Sequence, residues 1–101
     1  MVKTKIKIEW TNQAHIQFNE LLEYLNNESE QALSIVGNAI VDEIEHLPKH
    51  PAAHPLDRFK TNNDGTYRAC IVYSYRISYL IDKNIIYILR IRHTSREPLE
   101  Y

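Results

Sequence analysis

The chain has 101 residues, 44% hydrophobic and 25% charged, which suits one small folded domain and excludes a disordered chain. Its one cysteine, Cys70, excludes an internal disulfide framework and fits a reducing, cytoplasmic setting. The basic stretch Met1–Ile8 is not followed by the apolar segment of a signal peptide, and no apolar run approaches the ~20 residues needed to cross a bilayer, so no membrane role is expected.

From the N-terminus, Val2, Thr4, Ile6, Ile8 and Trp10 alternate with Lys3, Lys5, Lys7 and Glu9, the period-two pattern of a half-buried strand. Thr11 or Asn12 can cap a first helix, in which Ala14, Phe18, Leu21, Leu22 and Leu25 recur at helical spacing. Asn26-Asn27 breaks the pattern, and Asn27 followed by Glu30 resembles a capping box for a second helix with the stripe Leu33, Val36, Ile40, Ile44 and Leu47. Gly37 inside that helix costs ~1 kcal/mol relative to Ala, which predicts a close approach of the two helices there. Pro48 ends the second helix, and the short link predicts an antiparallel helical hairpin.

Residues 48–66 contain Pro48, Pro51, Pro55 and the turn-forming run Asn62-Asn63-Asp64-Gly65, and they read as a loop. Three Tyr- and Ile-rich strands follow, at 67–73, 75–82 and 85–93. Asp82-Lys83-Asn84 reads as a three-residue hairpin loop with Asn84 in the left-handed conformation, pairing Ile81 with Ile85. That register puts Arg68, Arg76, Arg90 and Arg92 on one sheet face, interspersed with Val72, Leu80, Ile86 and Ile88. Ala69, Ile71, Ile77, Tyr79, Ile81, Tyr87, Leu89 and Ile91 then form the core layer. A two-residue loop would split the arginines between faces, and the three-residue loop is preferred because it separates charge from core. The expected architecture is a single α+β domain over 1–101, ordered β-α-α-β-β-β, with the helical hairpin on one face of an antiparallel sheet.

Charge is distributed unevenly along this framework. Residues 1–50 hold four lysines, no arginine and eight acidic residues, whereas residues 51–101 hold all six arginines, two lysines and five acidic residues. Arginine's planar fork suits phosphate and carboxylate, so anion binding is expected in the second half. Arg68 and Arg76 could equally pair with carboxylates of the helices or loops. His46, His50 and His54 recur every four residues, but Pro48 and Pro51 forbid the continuous helix that would align them, so neither a metal nor another cofactor is expected. Cys70 is expected to be buried and inert, and the tyrosines to pack the sheet.

Three segments of the last third carry a family resemblance: Tyr67-Arg68, then Tyr75-Arg76-Ile77-Ser78-Tyr79, then the run from Leu89-Arg90-Ile91-Arg92-His93 through Thr94-Ser95-Arg96-Glu97-Pro98. Together with the element order they resemble the RelE/ParE superfamily over nearly the whole chain. The resemblance implies the toxin of a bacterial type II toxin–antitoxin pair, neutralised by a cognate antitoxin from the adjacent reading frame. Its target is then the ribosome and its mRNA, cleaved as RelE-type endoribonucleases do, or DNA gyrase, which ParE-type toxins poison without catalysis. A degenerate member would only bind its antitoxin. The retained basic residues lean the reading to the nuclease. On that reading Arg68, Arg76, His93, Arg96 and Tyr101 are the catalytic candidates, while Arg90, Arg92 and Lys60 would bind nucleic acid or antitoxin. Attack of a 2′-hydroxyl on its phosphate needs proton transfer and a stabilised oxyanion, which such residues can supply.

Overall fold

The computed structural model describes residues 5–101, so Val2, Lys3 and Thr4 of the expected first strand lie outside the described residues. The elements are β1 (Lys7–Trp10), α1 (Asn12–Glu28), α2 (Glu30–His46), β2 (Tyr67–Val72), β3 (Tyr75–Asp82) and β4 (Ile85–His93), with 3₁₀ turns at Leu47–Lys49 and Thr94–Arg96. This is the expected order, and two helices pack on one face of a four-stranded sheet. The sheet runs β1-β4-β3-β2 and is mixed rather than wholly antiparallel, because β1 pairs with β4 in parallel. A parallel pair needs a long crossover, and everything between β1 and β4 provides it. No described helix is long and apolar enough to cross a membrane.

Thr11 caps α1 as expected, its hydroxyl accepting from the Ala14 amide at 3.1 Å. The same hydroxyl donates to the Leu89 carbonyl at 3.0 Å, tying the helix start to β4. Thr11→Ala is therefore expected to cost about 1–2 kcal/mol in urea unfolding, while Thr11→Ser should keep most of that stability. The second cap is not Asn27. Helix α1 runs through it to Glu28, and Ser29 accepts from the Ala32 amide at 2.9 Å. The Ser29 amide also donates to the Leu25 carbonyl, so one residue closes α1 and opens α2. Gly37 is buried where the helices meet, as expected: a Cβ there would lie 3.2 Å from Leu22 Cδ2.

The core fills the space between hairpin and sheet. Ala14, Leu21 and Leu25 of α1 and Ile40 and Ile44 of α2 pack with Ile77, Tyr79, Ile86, Ile88 and Ile91. The predicted register therefore needs correction. Asp82 pairs with Ile85 across a two-residue turn, so Ile81 faces Ile86 rather than Ile85. Lys83, not Asn84, takes the left-handed conformation, at φ 54°. A β-bulge then intervenes: Tyr79 faces Ile88 while Ser78 faces Arg90, leaving Leu89 as the extra residue. The turn alone would have sent the β4 arginines into the core. The bulge flips the alternation back, so Ile86 and Ile88 are core before it and Ile91 is core after it. The backbone groups freed at the bulge are used by α1: the Leu89 carbonyl accepts from Thr11 and the Ile91 amide donates to Gln17 Oε1 at 2.8 Å.

The β2–β3 hairpin also turns in two residues, with Val72 opposite Tyr75 and Tyr73 at φ 53°. Even-numbered residues of β2 thus share a face with odd-numbered residues of β3. Arg68 and Val72 lie on the helix-covered face, and Ile71, expected in the core, is 58% exposed on the other. Tyr87 and Leu89, also expected in the core, are only half-buried.

Candidate functional site

The open face of the sheet collects Arg76, Ser78, Arg90 and Arg92 on neighbouring strands, with Arg76 opposite Arg92 and Ser78 opposite Arg90. Three like charges could not sit this close unpaired, and the chain supplies their partners from both flanks. From the loop comes Asp57, 1% exposed, whose Oδ1 accepts from Arg76 at 2.6 Å. From the tail comes Glu97, with Oε1 at 3.5 Å from Arg92 and 3.8 Å from Arg90. Arg90 also donates to the Leu99 carbonyl at 2.5 Å, and Arg92 to the Arg96 carbonyl at 2.6 Å.

Two aromatic rings close over the guanidinium groups. Phe59 lies 4.7 Å from the Arg76 guanidinium carbon, and Tyr101 lies 4.0 Å from that of Arg90. The Tyr101 hydroxyl donates to Asp57 Oδ2 at 2.5 Å. Backbone bonds hold the tail against the loop: Tyr101 donates to the Phe59 carbonyl at 3.0 Å and accepts from the Thr61 amide at 2.7 Å. Arg76 and Arg90 are left 8% and 4% exposed. The electrostatics follow from this packing. Burial pushes the Asp57 carboxyl up, but hydrogen bonds from Tyr101, Arg76 and the Phe59 amide prevail and hold it below the usual carboxylate range. Burial and the same carboxylate push the Tyr101 phenol well up, so it is a hydrogen-bond donor here and not a base. Burial lowers Arg90 despite Glu97.

The expected catalytic residues therefore fall in three places. Arg76 and Tyr101 meet around Asp57 on the open face. His93 and Arg96 border a separate open pocket with Gln17, Glu20 and Tyr24 of α1. There His93 Nδ1 accepts from the Ser95 amide at 3.1 Å, capping the last 3₁₀ turn, and its ring stands edge-on to Tyr75. Arg68 is on the opposite sheet face from Arg76, against expectation, because the two-residue turn at Tyr73-Ser74 inverts the alternation of β2. It donates to the His54 carbonyl at 2.6 Å. Of the expected binding residues, Arg90 is buried, Arg92 is half-buried against Glu97, and Lys60 sits over the Tyr67 and Tyr101 rings at 4.7 and 5.5 Å. Asp57 is not legible in the sequence, because a single acid in a proline-rich loop carries no periodic signal. Glu97 stands within the motif segment, but nothing in the sequence pairs it with Arg90 and Arg92.

The fold, two helices on a four-stranded mixed sheet, is that of a RelE/ParE-type domain. The sequence matches the profile of the ParE toxin of type II toxin–antitoxin systems over residues 8–98, and the chain belongs to that family. Among solved structures it is similar to a chain of the chromosomal ParDE toxin–antitoxin system from P. aeruginosa, at 17% identity and TM-score 0.70, covering 90% of this chain and 98% of that one. It is also similar to a chain of the toxin–antitoxin complex RelBE2 from Mycobacterium tuberculosis, at 20% identity and TM-score 0.58, covering 91% and 94%. A search of curated proteins finds no match.

Proposed function

We propose that the chain is a toxin that inhibits DNA gyrase by binding it, without cleaving RNA, and that an antitoxin encoded beside it neutralises it. Membership of the ParE family supports the reading, and the two neighbours, from a ParDE system and a RelBE2 complex, support an antitoxin partner. The observation that carries the choice between targets is the engagement of the arginines. A nuclease must aim guanidinium groups at a scissile phosphate. Here Arg76 already holds a buried carboxylate, and Arg90 lies under the tail. Breaking a buried ion pair costs about 3–5 kcal/mol. One oxyanion donor returns about 2.7–4 kcal/mol, so the exchange gains nothing. The remaining nuclease candidates, Arg68, His93 and Arg96, stand elsewhere on the molecule.

The test compares two assays on the purified toxin. Gyrase supercoiling should be inhibited, and mRNA on purified ribosomes should stay intact. Added antitoxin should restore supercoiling. Cleavage of ribosome-bound mRNA by the wild type, lost in Arg76→Ala, would overturn the proposal in favour of the nuclease.

A further inference from the structure

Three side chains that the proposed inhibition does not use converge on the helix-covered side of the molecule. Glu43 comes from the last turns of α2, His54 from the loop after it, and Cys70 from the middle of β2. His54 Nε2 is 2.7 Å from Glu43 Oε1, and with Cys70 Sγ the three donor atoms all lie within 4.8 Å of one another. Cys70 is buried, while the side chains of His54 and Glu43 are 29% and 36% exposed, so the cluster opens to solvent on one side. The histidine spacing considered from the sequence is not what builds it: His46 turns away to the Asp42 carbonyl.

We propose that Glu43, His54 and Cys70 bind one divalent transition-metal ion of the zinc class, with water as the fourth ligand. The donor set is mixed: a thiolate, an imidazole and a carboxylate. Zinc takes all three, at about 2.3, 2.0–2.1 and 2.0–2.2 Å, whereas calcium and magnesium want six or more oxygens. Tetrahedral geometry at those lengths sets the donors about 3.3–3.6 Å apart. The 2.7 Å pair must open by roughly 0.6–0.9 Å, and the widest separation need close by no more than ~1.5 Å, within the reach of small side-chain rotations.

The loop that brings His54 is fixed from the sheet. Arg68 donates to the His54 carbonyl, and the buried Tyr79 hydroxyl donates to the Pro51 carbonyl at 2.8 Å. The Arg68 charge opposes a cation on this side, and the two anionic ligands, Glu43 and the Cys70 thiolate, outweigh it. Binding also has to displace the thiol proton, which burial and then the Glu43 charge hold on by pushing Cys70 up to about 12. The bound ion would fasten α2, the loop and β2 at one point, on a different surface from the arginine face, so the inference stands or falls independently of the gyrase reading.

Cobalt(II) reports such a site directly. Titrated into the reduced, metal-free full chain, one cobalt per chain should give tetrahedral visible bands and a near-ultraviolet thiolate-to-metal band, and zinc should displace it. Cys70→Ser should abolish the thiolate band. His54→Ala, which removes one partly exposed ring standing edge-on to Tyr79, should weaken binding on the order of tenfold or more. Zinc should also raise the melting temperature of the wild type by more than that of His54→Ala at the same zinc concentration. Absence of the thiolate band in folded wild type, or binding indifferent to His54→Ala, would overturn the site.

Discussion

Replacing Asp57 with Ala is expected to destabilise the protein by about 3–5 kcal/mol, a large share of the ~5–15 kcal/mol that holds a small domain together. The carboxylate has no exposed side-chain surface and is bonded on both oxygens: Arg76 and the Phe59 amide on Oδ1, the Tyr101 hydroxyl on Oδ2. Its removal leaves the 9% exposed Arg76 side chain charged and unpaired, and it takes away the tail's bond through the Tyr101 hydroxyl. Urea unfolding at pH 7 measures the loss. The double variant Asp57→Ala/Arg76→Met should recover part of it, because the cost lies in the orphaned charge as much as in the lost pair. Additive losses in the double variant would count against the pairing.

The same carboxylate sets an acid limit. Its pKa in the folded chain lies below the unfolded value of ~3.9. The stability it contributes is therefore fully present above about pH 4 and is lost as pH falls through the lower, folded value. Wild-type stability should fall steeply below about pH 4, and Asp57→Asn should show a shallower fall across the same range. Parallel acid profiles for the two would remove Asp57 as the cause.

Deleting Leu89 should be more severe and abolish the folded state. Leu89 is the extra residue of the bulge, and it alone restores the alternation of β4 after the two-residue turn at Lys83-Asn84. Without it, Arg90 and Arg92 would point into the hairpin-covered core and Ile91 onto the open face. Two uncompensated charges in an apolar interior cost more than the domain's whole stability. The alternative, slipping β4 by one residue against β1, would turn Ile86 and Ile88 out of the core instead. Circular dichroism and denaturant titration should find no cooperative unfolding. A Leu89→Ala chain, which keeps the residue count, should fold and lose far less, since Leu89 is only half-buried. A cooperative transition in the deletion variant would refute the register.

These two sites also mark where the sequence stops informing. The existence and order of the elements follow from short-range physics: period two before Trp10, period 3.6 across Ala14–Leu25 and Leu33–Leu47, and β-rich segments separated by turn residues. The close helix approach at Gly37 was legible for the same reason, since a glycine inside a helix has few other uses. The side of the sheet on which Arg76, Arg90 and Arg92 gather agrees with the sequence pattern, although the turn before β4 does not. A turn one residue shorter than the sequence pattern predicts and a bulge that adds one residue cancel in the second half of β4. They do not cancel in its first half, where Ile86 and Ile88 change faces, nor at Arg68, where no bulge intervenes.

The sequence by itself determined the α+β architecture, the helical hairpin, the placing of all arginines in the C-terminal half, and a resemblance that its family membership bears out. Only the tertiary structure decided what those arginines do. Asp57 and Arg76 are 19 residues apart and Asp57 and Tyr101 are 44, and nothing local links them. Whether a basic strand residue meets solvent or a carboxylate depends on how the loop and tail fold back over the sheet. That return is driven by pairing and burial across the whole chain, and a periodic pattern in sequence reports only which face a side chain occupies, not what lies against it.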